Sequence, residues 1–313
     1  AEEAVEADEN DQSYGIGVSA LLPLAALGLG GGGGGGSTIS DGTYRNTISG
    51  DYGTEYSYQS MLSSINPLSL NDYGYTGAGI KVAVVDTGID STHAEFDGKT
   101  IYGFDFASSG TGYGADGNGH GTHVASIIAG ERDGSGMRGV AYDATLYDYK
   151  VDNDNGGTLE GVSTDAEIAA VFTRHVTDNI NVSNNSWGDS GVITSYSESS
   201  LRSTYSNTIT AMRAAQNNGT LIVVIAHNYG NFHPNILGGL PYRVSELADE
   251  WLTVVSVDSS LTETNYTSRC GVAADFCVTA PGGGDSQATD GILAAQANGS
   301  YVRYSGTSMA APH

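Results

Sequence analysis

The 313 residues predict an α/β fold with a mainly parallel central sheet flanked by helices. Two observations predict it. Short apolar runs suited to buried parallel strands recur at residues 80–85, 144–151, 180–186, 221–226 and 252–257. Between them lie helix-period patterns at 120–129, 164–177 and 206–217, the last followed by Gly219 where a helix C-terminus favours glycine. Strands that alternate with helices imply crossover connections, hence a parallel sheet. Functional groups of such sheets gather at the carboxyl ends of strands, and Asp86 and Asn228 both fall just past one.

Taken in order, residues 1–11 are acidic (Glu2, Glu3, Glu6, Asp8, Glu9, Asp11), residues 16–29 are apolar, and Gly30 to Gly36 are consecutive glycines. A signal peptide places basic residues before its apolar run, whereas the first basic residue here is Arg45. The apolar run is shorter than the ~20 residues that span a bilayer, and no cysteine precedes the glycines as a lipid anchor would need. Residues 1–36 therefore read as the leader or linker of an exported protein whose beginning is missing, or as a flexible non-globular arm. Residues 37–70, rich in Ser, Thr, Tyr and Asn, read as an N-terminal extension that packs in part on the main domain. That domain takes in residues 71–313, and its pattern begins at Gly77. No internal repeat stands out.

The net charge of -24 comes from 36 acidic residues against 12 basic ones, and the lysines are Lys81, Lys99 and Lys150. Such a surface argues against nucleic acid or an anionic membrane as partner. It fits a secreted protein in a saline or calcium-containing medium, with plain solubility as the simpler reading. Cys270 and Cys277 are the two cysteines. Their spacing allows a small disulfide loop if the Cβ atoms face each other; two buried thiols are the alternative. No second Cys/His pair lies near enough to make them a zinc site.

Three stretches carry chemistry. Val84-Val85-Asp86-Thr87-Gly88 ends the first strand, His120-Gly121-Thr122-His123 opens a helix pattern, and Gly306-Thr307-Ser308-Met309-Ala310-Ala311-Pro312-His313 sets a serine among small residues. A serine needs a base to take its proton and the base needs an orienting carboxylate, so Ser308, His120 and Asp86 form a complete set. Each motif has another reading. Asp-Thr-Gly also marks aspartic proteases, which need a second copy that this chain lacks. His120 and His123 could be half a metal site, but a zinc protease needs glutamate where Gly121 stands. An esterase elbow needs glycine two residues after the serine, where Ala310 stands.

From about Gly77 to its last residue the chain resembles the subtilisin-like (subtilase) serine peptidases, with Asp, His and Ser in that family's order. The resemblance implies an endopeptidase working through an acyl-enzyme on protein or peptide substrates. It implies that Asn228, at the end of the 221–228 strand, donates to the oxyanion together with the Ser308 backbone N–H. His227 departs from the family, which usually has glycine there, and a surface-turn asparagine is the alternative. Ser186, Trp187 and Gly188, in Asn184-Asn185-Ser186-Trp187-Gly188, match the segment that pairs with the substrate backbone, with Gly188 keeping the pocket wall open. A buried tryptophan at a strand-to-loop corner is the other reading of Trp187. Arg138-Gly139-Val140-Ala141-Tyr142-Asp143-Ala144 matches an architectural connector. Glu95 falls where the family places a calcium carboxylate, so structural calcium is an expectation, although calcium wants six to eight oxygens. The acidic run Asp148, Asp152, Asp154 reads as a solvated loop.

The segment from Tyr266 to Gly282 resembles one subgroup, the autotransporter serine proteases of bacterial surfaces, in which two cysteines precede an Ala-Pro-Gly turn. This favours the Cys270–Cys277 disulfide, a secreted or cell-surface location, and a membrane β-barrel domain beyond the C-terminal end. The family opens a long buried helix with its nucleophile, whereas this sequence stops five residues after Ser308. The expectation is a peptidase domain truncated at its C-terminus and poorly active as written. The competing function is a catalytically inactive surface or binding module on the same fold.

Overall fold

Seven strands form one parallel sheet: β1 (Lys81–Asp86), β2 (Tyr102–Asp105), β3 (Thr145–Lys150), β4 (Val182–Asn185), β5 (Leu221–Ile225), β6 (Trp251–Val257) and β7 (Cys277–Pro281). Their spatial order is β2-β3-β1-β4-β5-β6-β7. The computed structural model describes residues 62–107, 112–152 and 162–313 together with Glu55 and Gln59. The readings of the glycine-rich leader and of Asp154 lie outside the described residues.

Both faces of the sheet are covered, and β1 shows how its sequence achieves this. Val82 and Val84 pack with Val124, Ile127 and Ile128 of α1 (His120–Ala129). Ala83 and Val85 pack with Val171 of α2 (Asp165–Asp178). Alternate residues of a strand point to opposite faces, so a strand covered on both sides must be apolar throughout. Burying each valine contributes roughly 1.5–3 kcal/mol. A third cluster joins Phe172 of α2, Met212 of α4 (Ser206–Asn217), and Ile222 and Val224 of β5, with Leu201 of α3 (Glu198–Thr204).

The helix ends follow local chemistry. Thr164 and Glu167 form a reciprocal capping box at the start of α2. Gly219, φ +92°, takes the left-handed turn after α4.

The expected strands and helices are all present, and their ends shift by two residues at most. Two edge strands and the antiparallel hairpin β8 (Ile292–Gln296) and β9 (Ser300–Tyr304) are additional. β2 is four residues long and contains Gly103, where a Cβ would sit 2.2 Å from the Asp148 carbonyl oxygen of β3. β7 exposes Val278 and ends at Pro281, as an edge strand tolerates. Neither has the long apolar run by which interior strands are recognised.

The solvated-loop reading of Asp148 and Asp152 is overturned. Asp148 lies inside β3, fully buried, and its Oδ2 accepts from the Ile89 and Gly114 N–H groups. Asp152 is buried just past the same strand. Both sit at the carboxyl end of the sheet, where chain crossings supply donors that a linear sequence does not display.

Near the start of the main domain, the Gln59 side chain exchanges two hydrogen bonds with the Arg138 backbone, and Asn71 Oδ1 accepts from the Arg138 guanidinium. Arg138 is itself 2% exposed, and its guanidinium is compensated by the Asn71 acceptor and by the Tyr142 ring, 4.9 Å away. Among the described residues no helix is long and apolar enough to cross a membrane.

Candidate active site

Asp86 is the last residue of β1 and His120 the first of α1, so both project at the carboxyl end of the sheet. His120 Nδ1 donates to Asp86 Oδ1 at 2.7 Å, and the Thr87 N–H donates to the same oxygen at 2.8 Å. With Nδ1 committed, the neutral ring offers Nε2 as its free base. Burial would depress the imidazole pKa, but the charge and hydrogen bond of the Asp86 carboxylate, assisted by Asp116 and Asp152, outweigh it. The His120 pKa is raised.

Gly119 caps the helix at φ +94°, and a Cβ there would lie 2.0 Å from Gln296 Nε2. The left-handed backbone at this cap is what favours glycine.

Asp116, which the sequence reading passed over, holds the turn. Its Oδ1 accepts from Thr87 Oγ1, Asn118 N–H and Gly119 N–H, and its Oδ2 from the N–H and Oγ1 of Thr122. It thus ties the end of β1 to the first turn of α1 and fixes the separation of Asp86 and His120. An aspartate four residues before a helix-opening histidine, with a glycine turn between, was the available signal.

His123 has no metal-site role. Its Nε2 faces the Ile292 and Val302 carbonyls of the hairpin, and burial pushes its pKa down to about 3. It is a neutral packing residue.

Ser308 lies in α5 (Thr307–Ala310), 7% exposed. Its hydroxyl donates to the Ser186 carbonyl at 3.1 Å, while Ser186 Oγ donates to the Ser308 carbonyl at 2.9 Å. The Ser308 hydroxyl is therefore turned to the 186–188 segment and not to His120, although both line one cleft.

Asn228 Oδ1 accepts from the N–H and the Oγ1 of Thr307, each at 2.9 Å, which leaves the Nδ2 amino group as the donor end. Thr307 is thus the residue that orients this amide. Its position beside Ser308 was visible, its partner was not.

The cleft has a volume of about 650 Å³ and is lined by Asp86, His120, Asn228 and Ser308 together with Ser186, Trp187 and Gly188. Trp187 is half-buried and packs against two core clusters while it lines the cleft. Gly188 differs from expectation. A Cβ there would meet Asn235 Nδ2 at 2.0 Å, so glycine admits a buried carboxamide and does not leave open space.

Cys270 and Cys277 are joined, with Cα atoms 5.7 Å apart. Glu95 does not fit a calcium site. Its Oε1 accepts from Tyr301 Oη at 2.6 Å and Met137 N–H at 2.9 Å. Among the described residues no group of three or more His, Cys, Asp or Glu side chains could hold a metal ion. Burial, with Asp133 and Glu55 adding negative charge, raises the Glu95 pKa to about 7.

A family model described as the subtilase family matches residues 77–313. An extracellular serine protease of Serratia marcescens is 31% identical, with 83% of this chain and 29% of that protein covered. Subtilisin DY of Bacillus licheniformis is 33% identical over 77% of this chain and 75% of its own. The solved structure of a cold adapted subtilisin-like serine proteinase matches with a TM-score of 0.56 at 27% identity, over 76% of this chain and 73% of that one. The prenylagaramide maturation protease PagA shares the fold with a TM-score of 0.61, at 24% identity over 79% of this chain and 76% of that one. The family match runs from Gly77 to the final histidine and takes in every strand of the sheet; this chain belongs to the subtilase family.

Proposed function

We propose that the chain is the catalytic domain of a secreted serine endopeptidase that cleaves proteins at extended segments. The observation that carries this reading is the Asp86–His120 hydrogen bond at 2.7 Å, opening onto the cleft that Ser308 and Asn228 also line. In the reaction, Ser308 Oγ turns from the Ser186 carbonyl to His120 Nε2 and attacks the scissile carbonyl carbon. Its proton passes to Nε2, and the imidazolium so formed is held by the Asp86 carboxylate. Asn228 Nδ2 and the Ser308 N–H receive the developing oxyanion. His120 returns the proton to the leaving amine, and water then releases the acyl group from Ser308 by the same steps in reverse order. The substrate backbone adds as a strand along Ser186, Trp187 and Gly188.

Secretion is supported by the extracellular relative in Serratia marcescens. The disulfide just before Ala280-Pro281-Gly282 favours the autotransporter subgroup as the route, with a membrane barrel as partner domain. An inactive binding module would not need a complete set of acid, base, nucleophile and oxyanion donor around one cleft.

The test is labelling by a fluorophosphonate of the protein expressed to its natural stop codon, beside its Ser308→Ala and His120→Ala variants. Labelling of the parent, lost in both variants, is the expected result. A folded parent that takes no label sinks the peptidase reading in favour of the binding module.

A further inference from the structure

The Cys270–Cys277 disulfide stands outside the cleft, yet it closes a strap that reaches both donors of the proposed oxyanion site. One arm, residues 266–272, lies along the segment that carries Asn228. The Ser268 N–H donates to the His227 carbonyl at 2.7 Å, the Gly230 N–H to the Tyr266 carbonyl at 2.8 Å, and the Arg269 N–H to the Asn231 carbonyl at 2.8 Å. These bonds grip the chain just before Asn228 and again just after it. Farther out, the Val272 N–H donates to His233 Nδ1 at 3.2 Å. Gly271, φ +44°, lets the arm come this close, because a Cβ there would lie 2.4 Å from the Phe232 carbonyl oxygen.

The other arm runs through β7 to Gly282, and it serves Ser308. The Gly282 carbonyl accepts from the Gly306 N–H at 2.9 Å, two residues before the nucleophile. Tyr266 Oη joins the arms at this end, since it donates toward the Gly282 and Gly283 carbonyls. At the far end the joint is the disulfide, across the helical turn Gly271–Phe276. Of that turn's six residues only Ala273 is fully buried, with Val272 and Phe276 packed at the edge of a core cluster. Few buried contacts make a segment prone to local opening, and the covalent bond closes it.

We propose that the Cys270–Cys277 disulfide is a positioning element for Asn228 and the Ser308 N–H, so that a dithiol reductant lowers turnover without unfolding the domain. This rests on the peptidase reading above. Cys270 is exposed, so its sulfur is open to attack. A thiolate of the reductant bonds to Cys270 Sγ and expels the Cys277 thiolate, and the reductant's second thiolate then displaces Cys270 Sγ. The enzyme gains two electrons and two protons as a pair of thiols, and the dithiol leaves as a cyclic disulfide.

The experiment measures kcat and KM on one peptide for the parent, expressed to its natural stop codon, before and after dithiothreitol and again after reoxidation. Beside it stand the double variant Cys270→Ser, Cys277→Ser, the variant Asn228→Ala, and all three substitutions together. In the reduced parent and the double serine variant kcat should fall about ten-fold with KM little changed, a fraction of what losing a whole donor costs. Reoxidation should restore the parent, and the reductant should do nothing further to the serine variant, which assigns the effect to this bridge. In Asn228→Ala one donor is already gone, so opening the bridge should cost kcat only about three-fold or less, because groups that act as a unit are not additive. A bridge that only staples the fold would lower the melting temperature and leave kcat unchanged below the transition, and that outcome overturns the proposal. So does an equal loss with and without Asn228, and so does unfolding on reduction seen by circular dichroism. Should the serine variant fail to fold, the reduced parent decides alone, and an unchanged kcat there sinks the idea. An oxidised parent that takes fluorophosphonate but fails these tests fails here alone, whereas one that takes no label fails at the peptidase reading beneath.

Discussion

Asp86 and Glu95 are two buried carboxyl groups on one stretch of chain, at 4% and 3% exposure. Each accepts two hydrogen bonds through one oxygen and buries the other without a partner. By burial and hydrogen-bond count they are alike. They differ in one donor. Asp86 faces the His120 imidazole, which can take a positive charge, and the carboxylate raises the pKa of that ring. Glu95 faces a phenol and an amide, with Asp133 and Glu55 nearby, and its own pKa climbs to about 7. At Glu95 desolvation works against charge and, among the described residues, no cation stands near to offset it. In the proposed reaction the first carboxyl holds a proton-transfer base, while the second holds structure.

The largest effect should come from removing the charge where it is used. Asp86→Asn keeps the shape of the site but offers Nδ1 the wrong partner. The expected loss is about 10⁴-fold in kcat, the size such a change causes in other serine peptidase triads. The pH profile sharpens the same point. Activity needs neutral His120, so kcat/KM of the parent should rise with pH through a pKa above 6.5, the direction in which Asp86 moves it. In Asp86→Asn the raising charge is gone and burial remains, so this limb should move to lower pH. A limb that stays where it was would mean that Asp86 does not set the base. Asn228→Ala comes next, at about 10²–10³-fold in kcat with KM little changed, a magnitude known from this kind of peptidase. Stopped assays at saturating peptide separate the two parameters.

This contrast also marks what the sequence could tell. The interior strands were legible because a strand buried on both faces must be apolar throughout, as at 80–85 and 221–226. Asp86, His120 and Ser308 stood out in the sequence by their glycine-bearing motifs, and the structure places all three on one cleft. The roles of Asp116 and Thr307 were not legible, because each works through hydrogen bonds to groups brought near by folding: Thr87 to Asp116, and Asn228 to Thr307. Gly188 was read as open space for the same reason, since Asn235, which fills it, arrives from a later loop. Glu95 was read as a calcium carboxylate because its partners Tyr301 and Met137 are distant in sequence, and they decide that it accepts hydrogen bonds.

At Glu95 the comparison predicts stability and not turnover. Its folded pKa of about 7 lies above the ordinary 4.5. Between these values the unfolded chain releases a proton that the folded chain keeps, so stability is full below about pH 4.5 and falls as pH rises toward 7. Glu95→Gln imitates the protonated form and should remove that slope. It should gain on the order of 2–3 kcal/mol over the parent at pH 8, with no such gain at pH 4. Denaturant unfolding at the two pH values checks this. A parent whose stability is flat between them would mean that Glu95 is ionised throughout.

The smallest effect isolates the donor itself. Tyr301→Phe removes the 2.6 Å hydrogen bond to Glu95 Oε1 and leaves the Met137 N–H in place. That phenol favours the ionised carboxyl, because it donates to an oxygen that carries more charge without the proton, and the Tyr301 donor lowers the Glu95 pKa against the pull of burial. Losing it should push the Glu95 pKa further above about 7 and cost about 1–2 kcal/mol at pH 8, where the carboxylate is the form that needs the donor. At pH 4 the neutral carboxyl loses a weaker bond, so the cost should shrink to about half. In a Glu95→Gln background the extra cost at pH 8 should vanish, since no charge remains for the phenol to stabilise. A penalty that is equal at both pH values and persists in the double variant would assign the Tyr301 contribution to packing against His93, whose ring lies 5.2 Å away, and not to the carboxyl.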